Sequence, residues 1–197
     1  MNFNYIKDNL KGPVFPIITP FKDTASHEVD YEAACDYVDF LYDSGVRNFY
    51  VMSYNSRFSL LSWDEMMKLN KVVTRRIKDK PEQCISIVAD PLMNPTDIDN
   101  VIAIKEDSKT PMFSEQVIEK LGDRLNVIIS GRGKRQFVHF SRMGCDAYLV
   151  GVGSFAPKVS LDFYKACQSD DVETAWGIIN EIERPFLGAA MKCGWHP

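Results

Sequence analysis

A lysine follows an apolar run near the middle of the chain, and its position suggests nucleophilic chemistry. The run Val101–Ile104 shows no polar alternation, which is typical of a strand buried on both faces of a parallel sheet. Lys105 comes next, at the carboxyl end of the strand, where α/β barrels carry their chemistry. Poor solvation there would favour the neutral amine, which can attack a carbonyl carbon. The alternative is a surface lysine that begins a solvated loop.

Two segments that contain glycine invite a phosphate-binding interpretation. Gly131–Arg135 combines glycines with basic residues but lacks the GxxxxGK[ST] spacing of a phosphate loop. Gly151–Ser154 follows the last predicted strand, where many barrels bind phosphate. A phosphorylated substrate is therefore an alternative. The histidines, at positions 27, 139 and 196, are isolated and have no partner at metal-ligand spacing, so we expect no metal site.

Composition excludes several classes of protein. The chain has 197 residues, 45% hydrophobic and 25% charged, which fits one globular domain. The net charge of −4 and the scattered basic residues give no nucleic-acid footprint, and no apolar run reaches membrane-spanning length. Five widely spaced cysteines indicate reduced thiols. Because the N-terminus also lacks the features of a signal peptide, we expect a soluble, cytoplasmic protein.

Short apolar strands alternate with helices, which predicts βα units around a parallel sheet. Asp30 can cap a first long helix, and Ser62–Glu65 is a capping box that opens a second. Six strands are predicted: Pro13–Ile18, Val46–Met52, Cys84–Ala89, Val101–Lys105, Val127–Ile129 and Ala147–Val150. Later helices are expected around Val117–Leu121, Phe137–Phe140, Leu161–Cys167 and Val172–Ile182.

The order of these pieces resembles the dihydrodipicolinate synthase and N-acetylneuraminate lyase family. Gly12–Phe21 is similar to the family's opening strand, Leu60–Glu65 to the start of its second helix, and Asn100–Ser108 to the strand with its Schiff-base lysine. The resemblance implies a (β/α)8 TIM barrel, of which six βα units are visible, with Lys105 as the nucleophile. It also implies a homo-oligomer, either a dimer or a tetramer.

The chain departs from the family in length. Residues on the two sides of Thr96 and Asp97 resemble family segments that are far apart, so two βα units, roughly 60–80 residues, are missing at this join. We therefore expect residues 1–197 to be a single barrel domain with an omitted stretch near 96/97 and a truncated C-terminal helical part. The missing stretch would carry the family's catalytic tyrosine and its substrate-binding arginine, and no residue here is assigned those roles.

A second departure follows the second strand, where the family has two threonines that bind the carboxylate of pyruvate and relay protons. Here the segment begins with Ser53, and Tyr54 and Asn55 fall on the threonine positions; both can still donate hydrogen bonds. We expect these three residues to bind substrate and the protein to be a poor dihydrodipicolinate synthase. The resemblance also implies that the backbones of Gly131 and Leu149 face the substrate.

The sequence thus predicts a class I aldolase-type lyase or synthase that acts on a 2-oxo acid such as pyruvate. Lys105 would form an iminium that serves as an electron sink for aldol cleavage, condensation or loss of water, without a metal or an organic cofactor. The expected partner is the small-molecule substrate, with no nucleic acid and no membrane. The alternatives are a catalytically silent family member that binds a small oxo acid, or a phosphate-binding barrel enzyme.

Overall fold

The structure, a computed structural model, describes residues 3–88, 103–107, 110–130 and 133–194. They form two compact units: the N-terminal unit is Val14–Asn94, and the C-terminal unit combines Met1–Pro13 with Pro95–Pro197. Both units are α/β, and every strand pair within them is parallel. Among the described helices, none has the length and hydropathy needed to cross a lipid bilayer.

Three parallel strands form the sheet of the N-terminal unit: β1 (Gly12–Pro16), β2 (Asn48–Val51) and β3 (Ile85–Val88), with the first two residues of β1 lying before the unit begins. Phe15 of β1 pairs with Phe49 of β2, and both side chains are fully buried. The carboxyl ends of parallel strands lie at one edge of a sheet, so the loop after β2 lies at the edge where barrels place substrate.

Two capped helices cover this sheet, as the sequence predicts. In α2 (Tyr31–Asp43), the side chain of Asp30 accepts a hydrogen bond from the amide of Ala33. The helix α3 (Trp63–Lys78) begins with a complete capping box between Ser62 and Glu65. The buried faces carry the apolar residues expected from helical spacing, which are Ala34, Val38 and Leu41 in α2 and Leu69, Val73 and Ile77 in α3.

The C-terminal unit contains three further parallel strands, β4 (Ala103–Glu106), β5 (Asn126–Ile129) and β6 (Ala147–Leu149), with β5 between the other two. Its helices are α1 (Phe3–Asn9), α4 (Pro111–Leu121), α5 (Gly133–Phe140), α6 (Pro157–Gln168), α7 (Val172–Ile178) and α8 (Arg184–Lys192). A π-helical turn, Ile179–Glu183, joins α7 to α8.

An aromatic cluster forms the core of the C-terminal unit. The rings of Phe137 and Tyr148 lie 4.7 Å apart between centroids, and Phe163 meets the edge of Tyr148 at 5.4 Å. The hydroxyl of Tyr148 donates a 2.8 Å hydrogen bond to the carbonyl of Ser160, so the polar end of this fully buried side chain is satisfied. The cluster thereby fixes α5 and α6 against β6.

The predicted class and strand count are confirmed: six parallel strands alternate with helices, and the eight-unit closed barrel stays a prediction. The join at Thr96 and Asp97 lies outside the described residues. The sequence reading missed α1 and α8, and it predicted one uninterrupted helix where α7 ends in the π turn. Three apolar residues of that segment are exposed, namely Val172, Trp176 and Ile182.

Candidate functional site

Lys105 lies one residue before the end of β4, so the predicted position at the carboxyl end of a strand is correct within one residue. The strand pairs with β5, where Ile128 is the partner of Lys105. The ammonium Nζ lies 3.0 Å from Oδ2 of Asp107 and forms an ion pair with it. The pair places a proton acceptor next to the amine.

The expectation that the Lys105 amine is desolvated is wrong in this structure. Its side chain is 41% exposed, and that of Asp107 is 52% exposed. The physical reason is the position of β4 in its sheet, because among the described residues β4 pairs with β5 alone. Water and the Asp107 carboxylate therefore solvate the ammonium, which the apolar run Val101–Ile104 could not reveal.

Glu106, next to the candidate nucleophile, is buried. Its Oε1 accepts a 3.2 Å hydrogen bond from the hydroxyl of Ser114 on α4. Its backbone carbonyl accepts a 2.9 Å hydrogen bond from the amide of Ser130, the residue after β5. Glu106 therefore connects the end of β4 to α4 and β5, and it holds the strand end that carries Lys105.

The loop after β2 contains three of the predicted substrate-binding residues and has an unusual backbone. Met52 and Arg57, which flank it, both adopt left-handed conformations, with φ of 58° and 53°. Such conformations are costly for residues other than glycine and persist only where the surroundings enforce them. Here Thr19 Oγ1 donates a 2.6 Å hydrogen bond to the Ser56 carbonyl, and the Ser56 hydroxyl donates another to the Ser53 carbonyl.

The side chains of this loop differ sharply in exposure. Ser53 is buried, and its hydroxyl oxygen makes no hydrogen bond with the described residues. Tyr54 is 85% exposed, while Asn55 and Arg57 are also exposed. The loop therefore presents a phenol, an amide and a guanidinium to solvent, and all three groups can donate hydrogen bonds to an anion.

Leu149 is the last residue of β6 and is half-buried, at the strand end that the sequence predicted. A 3-10 turn, Val152–Ser154, follows it and leads to Phe155. The ring of Phe155 lies 5.1 Å from that of Phe186 on α8. Gly131, the other backbone position predicted to face substrate, lies outside the described residues.

Sequence reasoning missed Lys134, a buried lysine of the C-terminal unit. Its side chain is 1% exposed, and its Nζ lies 3.2 Å from Oε1 of Glu183, which is 11% exposed. Burial lowers the pKa of the Lys134 ammonium, and the Glu183 carboxylate opposes that shift. The lysine in Gly131–Arg135 is thus engaged by a carboxylate, so its ammonium is not presented to a phosphate.

No cluster of three or more histidine, cysteine, aspartate or glutamate side chains suitable for a metal ion occurs in the described part of the chain. The His139 Nε2 lies 3.3 Å from Oε1 of Glu115, a single carboxylate partner. A cavity of about 790 Å³ opens between α3 and β3, lined by residues that include Lys71, Lys78 and Cys84. It contains none of the predicted site residues.

Comparisons with known proteins support the fold and the resemblance. No protein-family profile matches the chain. A protein of Acinetobacter baumannii named "probable 5-dehydro-4-deoxyglucarate dehydratase" is 30% identical over 89 residues, which is 45% of this chain and 29% of that protein. The 5-dehydro-4-deoxyglucarate dehydratase of Pseudomonas putida is 35% identical over 54 residues, 27% of this chain and 18% of that protein. The matched parts thus span less than a third of these relatives.

Solved structures show the same fold over most of the chain. Dihydrodipicolinate synthase of Aquifex aeolicus matches with a TM-score of 0.72 and 16% identity, over 89% of this chain and 81% of that one. N-acetylneuraminate lyase of Mycoplasma synoviae matches with a TM-score of 0.73 and 14% identity, over 91% and 82% of the two chains. The predicted resemblance is confirmed by both kinds of comparison.

Proposed function

We propose that this chain, whose fold is that of the dihydrodipicolinate synthases and N-acetylneuraminate lyases, is a Schiff-base lyase or dehydratase acting on a 2-oxo acid. The observation that carries the proposal is Lys105 at the carboxyl end of β4, the edge at which parallel barrels place their chemistry. The aligned relatives named for dehydration of 5-dehydro-4-deoxyglucarate favour loss of water as the overall reaction.

The chemistry begins with loss of a proton from the Lys105 ammonium to water, which reaches the exposed side chain. The free amine attacks the ketone carbon of the 2-oxo acid. The carbinolamine then loses water, which leaves an iminium between Nζ and the former ketone carbon. The iminium accepts the electron pair when a proton leaves the neighbouring carbon, and the resulting enamine expels a β-hydroxyl as water.

The exposure of Lys105 makes its amine accessible to the substrate, whereas burial would have favoured a neutral amine before the substrate binds. The substrate ketone reaches the amine from solvent, because 41% of the lysine side chain is accessible. The proposed binding groups are Ser53, Tyr54 and Asn55 of the loop after β2, together with the backbones of Gly131 and Leu149. We also propose a closed eight-unit barrel and a dimer or tetramer, and both rest on the family resemblance alone.

A catalytically silent protein that binds an oxo acid is the second candidate. It is favoured by the ion pair between Lys105 and Asp107, and by Tyr54 and Asn55 at the positions where the resemblance implies two threonines. A phosphate-binding enzyme is less well supported, because Lys134 is paired with Glu183 inside the protein. Covalent trapping distinguishes the first two candidates.

The test is borohydride reduction in the presence of pyruvate or a dicarboxylic 2-oxo acid, followed by peptide mass mapping. We expect a reduced adduct on the peptide that contains Lys105, and none in Lys105→Arg, because a guanidinium does not deprotonate in proteins. Lys120→Arg, at an exposed lysine of α4, is the matched control and should retain the adduct. Absence of any adduct across a panel of 2-oxo acids would favour the silent binding protein.

A further inference from the structure

The Lys134–Glu183 pair joins two parts of the C-terminal unit that are far apart in sequence. Lys134 lies in the first turn of α5, and Glu183 is the last residue of the π turn. The Lys134 Nζ also lies 5.8 Å from the ring centres of Tyr148 and Phe163, so aromatic rings surround the pair. Removing one partner would leave a buried charge without compensation, which is strongly unfavourable.

The π turn inserts one extra residue into an otherwise α-helical segment. The amide of Arg184 donates its hydrogen bond to the carbonyl of Ile179, five residues back, in place of the usual four. Because each residue turns an α-helix by about 100°, a regular α-helix of the same sequence would rotate α8 by about that angle from the position that the π turn gives it. Such an insertion breaks regular helix geometry, so something in the structure must select it.

Apolar burial does not explain the register of the helix after the turn. Ala175 and Ile179, on α7 and at the start of the turn, are fully buried and anchor the first part. In α8, by contrast, no residue is buried. Glu183 is therefore the last buried residue before α8, and its partner is the Lys134 ammonium.

We infer that the Lys134–Glu183 pair sets the rotational register of α8 by requiring the π turn that brings Glu183 to Lys134. Specifying a register is the best-attested role of buried polar and ionic groups. In the register seen here, Phe186 of α8 contacts Phe155, the residue after the 3-10 turn that follows β6. The ion pair thereby positions the segment behind Leu149, and only this last step rests on the proposed function.

Insertion of one alanine after Glu181 tests the register directly. Glu181 is an exposed residue of the π turn and makes no ion pair among the described residues, and one further residue after it turns Glu183 and α8 by about 100°. In the native background we expect the insertion to lower the folding equilibrium constant on the order of a hundredfold, because it separates Glu183 from Lys134. Glu181→Gln, which keeps the length, should have little effect.

The same insertion in a Lys134→Met/Glu183→Ala background completes the test. Neither new side chain needs a charged partner, so we expect the insertion to change the folding equilibrium constant by less than about threefold there. An equal penalty in both backgrounds would overturn the inference, because the register would then be held by other contacts. The exposed pair Lys158–Asp162 on α6 gives the control, and Lys158→Met/Asp162→Ala should leave the penalty unchanged.

A second measurement does not depend on the insertion variants folding. Aromatic proton contacts between Phe155 and Phe186, observed by NMR, should be present in the native protein and lost in folded Lys134→Met/Glu183→Ala. Persistence of these contacts would contradict the register role. The positioning step is tested by kinetics, once formation of the Lys105 adduct in the native protein has shown that the proposed function holds. We then expect Lys134→Met/Glu183→Ala to raise KM for the 2-oxo acid more than it lowers kcat. An unchanged KM would refute the positioning step alone.

Discussion

Asp39 on α2 makes the clearest electrostatic contribution to the stability of the N-terminal unit. Its Oδ1 accepts a 2.7 Å hydrogen bond from Nε of Arg76 and lies 2.5 Å from Nζ of Lys80, while its Oδ2 pairs with the second Arg76 nitrogen. The hydrogen bond from Arg76 is the main cause that lowers the pKa of Asp39 from 3.8 to about 2, and Lys80 adds to it. The cluster ties α2 to the C-terminal end of α3.

The free energy at stake follows from the pKa difference between the folded and unfolded protein. The lowering of the Asp39 pKa from 3.8 to about 2 corresponds to roughly 2 kcal/mol, because one pKa unit is worth about 1.4 kcal/mol. About a quarter of the side chain is exposed, at 27%, and water screens part of the interaction. We therefore expect Asp39→Asn to lower the free energy of unfolding by about 1–2 kcal/mol at pH 7.

The pH dependence of this effect has a definite sign. The folded-state pKa of Asp39 lies below the unfolded value, so its stabilisation is fully present above about pH 4 and is lost as the pH falls towards 2. The difference between native protein and Asp39→Asn should be constant from pH 8 to pH 5 and should shrink below pH 4. Urea unfolding at a series of pH values measures it.

Asp36→Asn is the matched control, since Asp36 is an exposed carboxylate on the same helix. It removes the same charge but no direct ion pair, and we expect it to change the free energy of unfolding by less than about 0.5 kcal/mol. The reasoning would be refuted by equal effects of the two substitutions at pH 7, or by an Asp39→Asn effect that stays constant down to pH 3.

Two further outcomes can be measured with simple variants or reagents. Ser62→Ala removes the capping box of α3 and should lower the free energy of unfolding by about 1 kcal/mol in thermal or urea unfolding, whereas Ser62→Asp should retain most of it. Burial raises the pKa of the Cys145 thiol to about 12, so iodoacetamide at pH 8 should alkylate exposed Cys193 and leave Cys145 unmodified until the protein unfolds. Early modification of Cys145 in mass mapping would contradict that burial.

Local signals made the caps and buried faces of α2 and α3 predictable. The Asp30 cap, the Ser62–Glu65 capping box and the spacing of Leu69, Val73 and Ile77 each depend on residues within a few positions of one another. Short stretches of sequence are therefore enough to encode these interactions. The caps and buried faces of the two helices were predicted almost to the residue.

Features that depend on distant partners were not predictable in the same way. Lys134 is buried against Glu183, which lies 49 positions later in the chain, and no local sequence pattern marks the pair. The exposure of Lys105 depends on which strands flank β4, whereas the apolar run before it reports only local preference. Position along a strand was therefore predicted well, and the electrostatic environment at its end was not.

The left-handed backbone at Arg57 has a consequence for laboratory evolution of this protein. A residue with a β-carbon in that conformation costs on the order of 1 kcal/mol that glycine would not incur. Selection for thermal tolerance alone should therefore recover Arg57→Gly early, since the exposed guanidinium forms no ion pair among the described residues. Selection that also demands turnover would retain the arginine if the loop binds anionic substrate, so the two selections would diverge at this position.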